Sequence, residues 1–138
     1  MAHSRHRCVG VAAALLLAPT LAPAATPQQL LDGYAADVRR ADPAFRVFSA
    51  ERGRQLFTST HGREWRCATC HTEDPRAGGR HASTQKPIKP LAPAANPGRF
   101  TDAANVEKWF RRNCKDVVGR ECTASEKGDL LAWLVTLR

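Results

Sequence analysis

Methionine is almost absent from this sequence: its 138 residues contain one, Met1. No internal thioether is available to a metal centre, so any such site must draw on imidazole, thiolate, amide or carboxylate groups. Aromatic residues make up 7% of the chain, with a single tyrosine, which leaves little bulky material for a core. Long apolar runs are also lacking. The stretch CVGVAAALLLAPTLA, starting at Cys8, is too short to span a bilayer comfortably and is broken at Pro19. No segment carries a strand signal of consequence, which argues against a fold built on a sheet. Acidic residues are the minority, 13 against 21 lysines and arginines, giving a formal charge of +8.

The N-terminus holds a recognisable address. A basic MAHSRHR, the short apolar run and Ala22-Pro23-Ala24 have the layout of a secretory signal peptide. Cleavage after Ala24 divides the chain into a signal peptide, 1–24, and one domain, 25–138, delivered to the periplasm. Cys8 lies ahead of the apolar run, the wrong side for a lipid-modified mature terminus. The basic surplus favours acidic docking surfaces or anionic membranes. Nucleic acid is disfavoured by export and by the scatter of the charges: Arg39-Arg40, Lys86, Lys89, Arg111-Arg112. An oxidising compartment allows Cys114 and Cys122 to pair as a disulfide. A small domain with a long Pro/Gly/Ala-rich middle gains from such a staple, or from a large apolar cofactor.

Periodicity points to helices throughout. Gln28 to Arg40 places Leu31, Tyr34, Ala35 and Val38 at helical spacing, with Thr26-Pro27 as cap and first position. A second helix starts at Ser49 in SAERGRQLF. Gly53 in its interior costs about 1 kcal/mol against alanine, a residue often kept where another backbone approaches. From Pro75 to Pro97 periodicity vanishes, and the prolines push the preceding residues into extended conformations. A loop this long needs something to wrap. Thr101 or Asp102 caps a third helix, DAANVEKWFRRN, whose Val106, Trp109, Phe110 and Asn113 fall on one face. Thr123 and Glu126 form a capping box ahead of the last helix, SEKGDLLAWLVTL, which presents Leu130, Leu131, Leu134 and Leu137 with Trp133 beside them.

The chemistry centres on Arg66-Cys67-Ala68-Thr69-Cys70-His71. A thioredoxin-like dithiol needs a buried strand before the first cysteine, and none is present. Zinc needs a wider ligand set than two cysteines with a histidine directly behind the second. The remaining reading is covalent haem: the thiols of Cys67 and Cys70 form thioethers and His71 ligates the iron. One CxxCH means one haem c. On the opposite side of the iron, methionine is excluded. Asn113, His81, His61 or no protein ligand at all remain open on the residues alone. Asn113 continues the Val106/Trp109/Phe110 face, where an amide must find a partner or cost about 1–3 kcal/mol.

AERGRQLF, CATCH, KPIKPLAPAANPGRFTDAANVEKWFRRNC and GRECTASEKGDLLAWL together closely resemble the sphaeroides haem protein family of small exported monohaem cytochromes. The resemblance covers nearly the whole chain after the signal peptide. It implies an all-α, class I cytochrome c-like fold around one covalent haem, with a long irregular middle loop. It implies haem attachment at Cys67 and Cys70, His71 and Asn113 as iron ligands, and a Cys114–Cys122 disulfide. It further implies single-electron transfer with a membrane-bound or soluble cytochrome, and release of Asn113 on reduction so that oxygen or nitric oxide can bind. The alternative is a bis-ligated periplasmic carrier without gas chemistry. A dedicated enzyme is the weaker expectation, since Asn113 is neither an acid nor a base for peroxide cleavage.

Overall fold

Thr26 opens the first helix, its hydroxyl accepting from the Gln29 backbone N–H while the Gln29 side chain returns to the Thr26 N–H. A computed structural model describes residues 24–138, so the signal-peptide assignment lies outside the described residues except for Ala24. Helix α1 runs Pro27–Ala41 and α2 runs Ala50–Thr58, started by the Ser49 hydroxyl. The haem-motif turn α3 is Cys67–His71. Two-residue strands β1, Gly79–Arg80, and β2, Pro87–Ile88, pair antiparallel with Gly79 opposite Ile88. Helix α4 spans Ala103–Val117 from an Asp102 cap, and α5 spans Ala124–Leu134 from the Thr123–Glu126 capping box.

The last helix is the hub. Leu130, Leu131, Trp133 and Leu134 are buried against Leu30 and Tyr34 of α1 and Phe57 of α2. Phe57, Leu131 and Leu134 are fully buried, each contributing about 1.5–3 kcal/mol by leaving water. Gly53 faces the α5 backbone so closely that a Cβ there would lie 2.0 Å from the Asp129 carbonyl oxygen. The glycine is required by a close approach of two helices. Asp129 is buried beside this crossing, accepting from the Ser49 N–H at 2.6 Å and from Arg52 at 2.7 and 2.9 Å. Across the molecule the Tyr34 hydroxyl donates to Glu107 at 2.6 Å, and Lys127 reaches the other Glu107 oxygen at 2.6 Å. That chain of contacts clasps α4 to α1 and α5.

The all-α expectation stands, and the class I cytochrome c-like assignment is corrected. Four helices, of 15, 9, 15 and 11 residues, carry the structure, with α1 and α2 both packed on α5 and α4 held across them. Helical periodicity revealed the elements but not which faces meet, and the class came from the resemblance alone. The middle of the chain is irregular as expected, apart from the β1–β2 pair, which is too short to leave a strand signature. Helix α4 also continues four residues past Asn113, so this asparagine is an interior helical residue rather than a cap.

Candidate functional site

Helix α2 delivers the chain to the CATCH turn through residues 59–66, and Thr72 ends that turn with φ at 64° and ψ at 169°. A threonine held there is strained, and such strain gathers where a neighbouring side chain must be aimed. The neighbour is His71. Its ring packs against Phe57, centroids 6.4 Å apart. Burial, with the Arg99 charge second, lowers its pKa to about 4, so the imidazole is neutral and its nitrogen lone pair is free for a metal.

The two cysteines are unbridged and half-buried. Burial pushes the Cys67 thiol up to about 11, the opposite of the depressed thiol a redox dithiol requires. Ala68, between them, is buried, and the Ala82 N–H donates to the Cys70 sulfur at 3.3 Å. Gly79 lets the β1 backbone close on the turn, since a Cβ there would lie 1.9 Å from the Cys70 carbonyl oxygen. A cleft of about 620 Å³ opens beside Cys70, lined by Trp65, Thr69, Gly79 and Ala82 among others. Among the described residues, no three His, Cys, Asp or Glu side chains converge on a metal-binding point. That leaves zinc without a ligand set.

Asn113 sits on α4, seven residues after Val106 and four after Trp109, so the three share one side of the helix. Val106, Cys114 and Val117 are buried while Asn113 is exposed and Trp109 is 44% exposed. Trp109 therefore differs from the core residue its spacing suggests. Directly behind Asn113, Cys114 is bonded to Cys122, fixing the end of α4 to the start of α5.

The two alternative histidines are engaged elsewhere. His61 is exposed, and its Nε2–H donates to the Leu56 carbonyl at 2.8 Å. His81 accepts at Nδ1 from the backbone N–H groups of Ser83 and Thr84, each at 3.3 Å. The residues that sequence reasoning missed here are Phe57 and Arg99. Phe57 was legible as an apolar residue at helical spacing, but nothing in its neighbours tied it to His71, 14 positions away. Arg99 stands in a proline-rich loop without any periodic signal.

A neutral imidazole, two thiols on one helical turn and a carboxamide on a neighbouring helix are donors suited to a covalent haem. The family described as Domain of unknown function (DUF1924) matches residues 43–134. The chain is 49% identical over 128 residues to the cytochrome c-type protein SHP of Cereibacter sphaeroides, covering 90% of this chain and 94% of that protein. It is 35% identical over 132 residues to cytochrome c″ of Methylophilus methylotrophus, covering 93% and 92%. Among solved structures it matches oxidized SHP, described as an oxygen-binding cytochrome c, with a TM-score of 0.71 over 82% of this chain and 98% of that one. Oxidized cytochrome c″ matches with a TM-score of 0.72 over 81% and 94%. A solution structure of cytochrome c″, presented as bearing on haem-ligand detachment, matches with a TM-score of 0.71. These likenesses complete the correction of the fold: it is the all-α four-helix haem fold of SHP and cytochrome c″, not the classical class I cytochrome c fold.

Proposed function

We propose, on the premise that this chain belongs to the DUF1924 family and to the sphaeroides haem protein group of small monohaem c-type cytochromes, that it is a redox-gated haem protein with Asn113 as the gate. The group it carries is a single covalently attached haem c, which supplies one-electron iron chemistry and, at an open position, a site for a diatomic gas. Cys67 and Cys70 would hold it through thioethers, His71 would ligate the iron in both oxidation states, and Asn113 would ligate it conditionally. An amide oxygen is a hard donor, better matched to ferric than to ferrous iron. With the haem bound, Asn113 would therefore hold ferric iron more firmly than ferrous iron, and its release would open a position to oxygen or nitric oxide. SHP is described as oxygen-binding and cytochrome c″ as undergoing haem-ligand detachment, and both properties are here extended to this chain.

The observation that carries this reading is the seat of Asn113. It lies inside α4, on the side shared with Trp109, one residue before a disulfide cysteine, while both rival histidines make other hydrogen bonds. Trp109, on the same side of α4 and 44% exposed on its own, would help keep water from the bound haem. The electron partner is a membrane-bound or soluble cytochrome in the periplasm, and the exposed Lys108, Arg111 and Arg112 of α4 suit an acidic docking face.

Absorption spectra of the ferric and ferrous protein, recorded with and without carbon monoxide, test the gate. The expected result is a six-coordinate ferric form and a high-spin ferrous form that shifts on adding gas. Asn113→Ala converts the ferric form to a high-spin or water-ligated species. A low-spin ferrous spectrum indifferent to gas would make the protein a bis-ligated carrier and end the gating mechanism.

A further inference from the structure

The basic residues of this chain divide by their company. Arg52 meets Asp129, Arg54 meets Glu51, Arg66 meets Glu73, Arg76 meets Asp74, Lys115 meets Glu121, Arg120 meets Glu126, Lys127 meets Glu107 and Arg40 meets Asp37. Those without an acidic partner are exposed, with one exception. Among the described residues, Arg99 is the sole lysine or arginine that is neither exposed nor paired with a carboxylate. Burial alone draws its pKa down, with no acidic group opposing. A partly desolvated guanidinium without a counter-charge carries a cost, and an anion supplied from elsewhere offsets it.

The side chain is nonetheless held in place. Its Nε–H donates to the Pro90 carbonyl at 3.0 Å and Nη2 donates to the Lys89 carbonyl at 2.9 Å. Asn96 donates to the same Pro90 oxygen at 3.1 Å, so the loop folds back on itself around the guanidinium. These bonds leave the Nη1 amino group and one Nη2 hydrogen uncommitted. Phe100, the next residue, is buried with φ at 60°, a conformation an aromatic residue keeps only when its surroundings impose it. The Arg99 charge also lies within electrostatic reach of His71.

We propose that Arg99 is a haem-propionate anchor, its free N–H groups pairing with a propionate carboxylate on the side of the molecule that carries His71. This rests on the functional reading above and adds to it a binding residue outside the CxxCH motif. A propionate is the anion this site lacks, and a guanidinium fork is suited to a carboxylate. The long proline-rich segment between the haem motif and α4 thereby gains a purpose. It carries a rigid cation to the edge of the porphyrin.

The pairing has an electrical consequence. A fixed positive charge near the iron disfavours the ferric state, so its loss lowers the reduction potential. The test compares holoprotein with Arg99→Gln and Arg99→Lys variants, both carrying covalent haem, by redox titration at one pH and by resonance Raman spectroscopy of the propionate bending band. Arg99→Gln is expected to lower the potential and shift the band; Arg99→Lys is expected to recover most of the potential but not the band position. A role confined to bracing the loop would shift thermal stability while leaving both readouts where they were. If Arg99→Gln fails to load haem, the Raman band of Arg99→Lys decides, since an unshifted band there means that no guanidinium fork holds the propionate. Haem-loaded variants with the parent potential and band overturn the assignment and leave the gate untouched. A parent protein isolated without covalent haem overturns the functional reading itself.

Discussion

Glu126 shows how one residue can do three jobs. Its carboxylate accepts from the Thr123 N–H at 2.8 Å and from Arg120 at 2.7 and 2.8 Å, closing the cap of α5, pinning the segment before Cys122 and carrying the charge that Arg120 balances. The Arg120 guanidinium and the Thr123 backbone hold its pKa near about 2, against an ordinary 4.5. Because the folded value lies below the unfolded one, the stabilisation is complete above pH 4.5 and is lost as pH falls toward about 2. Melting temperatures measured from pH 7 to pH 2 should therefore separate the parent from Glu126→Gln at neutral pH and bring the two together in acid. Curves that stay parallel across that range would remove Glu126 from the account of α5. At this scale the sequence was informative wherever a motif is local. The Thr123–Glu126 box and the Cys67, Cys70, His71 triplet are each complete within five residues. Arg99 was illegible because its meaning lies in an absent partner, which only three-dimensional proximity can reveal.

Elements read well where amphipathicity is strong and less well where contact decides. Helices α1, α2, α4 and α5 were all expected; Thr26 and Thr123 cap as read, Asp102 is the cap of the Thr101/Asp102 pair, and Ser49 is the cap of α2 rather than its first residue. The continuation of α4 through Cys114 to Val117 was missed, since RRNC looked like a terminus. Burial of Cys114 and Val117 on the core side explains the extra turn. Gly53 belongs here because its effect is exerted between two helices. A methyl group 2.0 Å from the Asp129 carbonyl oxygen forces α2 and α5 apart. Gly53→Ala, which would gain helix propensity on an isolated peptide, should instead cost at least about 2 kcal/mol of stability. The denaturant midpoint measures it, and a variant as stable as the parent would mean the crossing can open without loss.

The whole molecule consists of two halves that share α5. One is the tight α2–α5 crossing that seats Phe57 against His71; the other is α4, which presents Asn113. The Cys114–Cys122 bond joins the end of α4 to the residue before the α5 cap, so it ties the helix that carries Asn113 to the helix that packs against α2. Replacing both cysteines with serine should lower stability by about 2–3 kcal/mol. It should also raise the high-spin fraction of the ferric spectrum, because Asn113 loses its fixed seat. A loss of stability with an unchanged spectrum would reduce the bridge to a staple. Fold class was the least legible property at this scale. Periodicity identifies helices but is silent on how four of them are arranged, and the class I expectation, borrowed from likeness, did not survive the coordinates.

The ring closed by that bond has its outer tip at Gly119 and Arg120, both exposed, with Gly119 at a φ of 82°. Its neck is locked covalently and Arg120 is tied to Glu126, so an insert at Gly119 that keeps this ion pair leaves the helices on either side anchored. A short insert carrying a fluorophore or a surface-binding peptide would find a ready graft point there, six residues along the chain from Asn113.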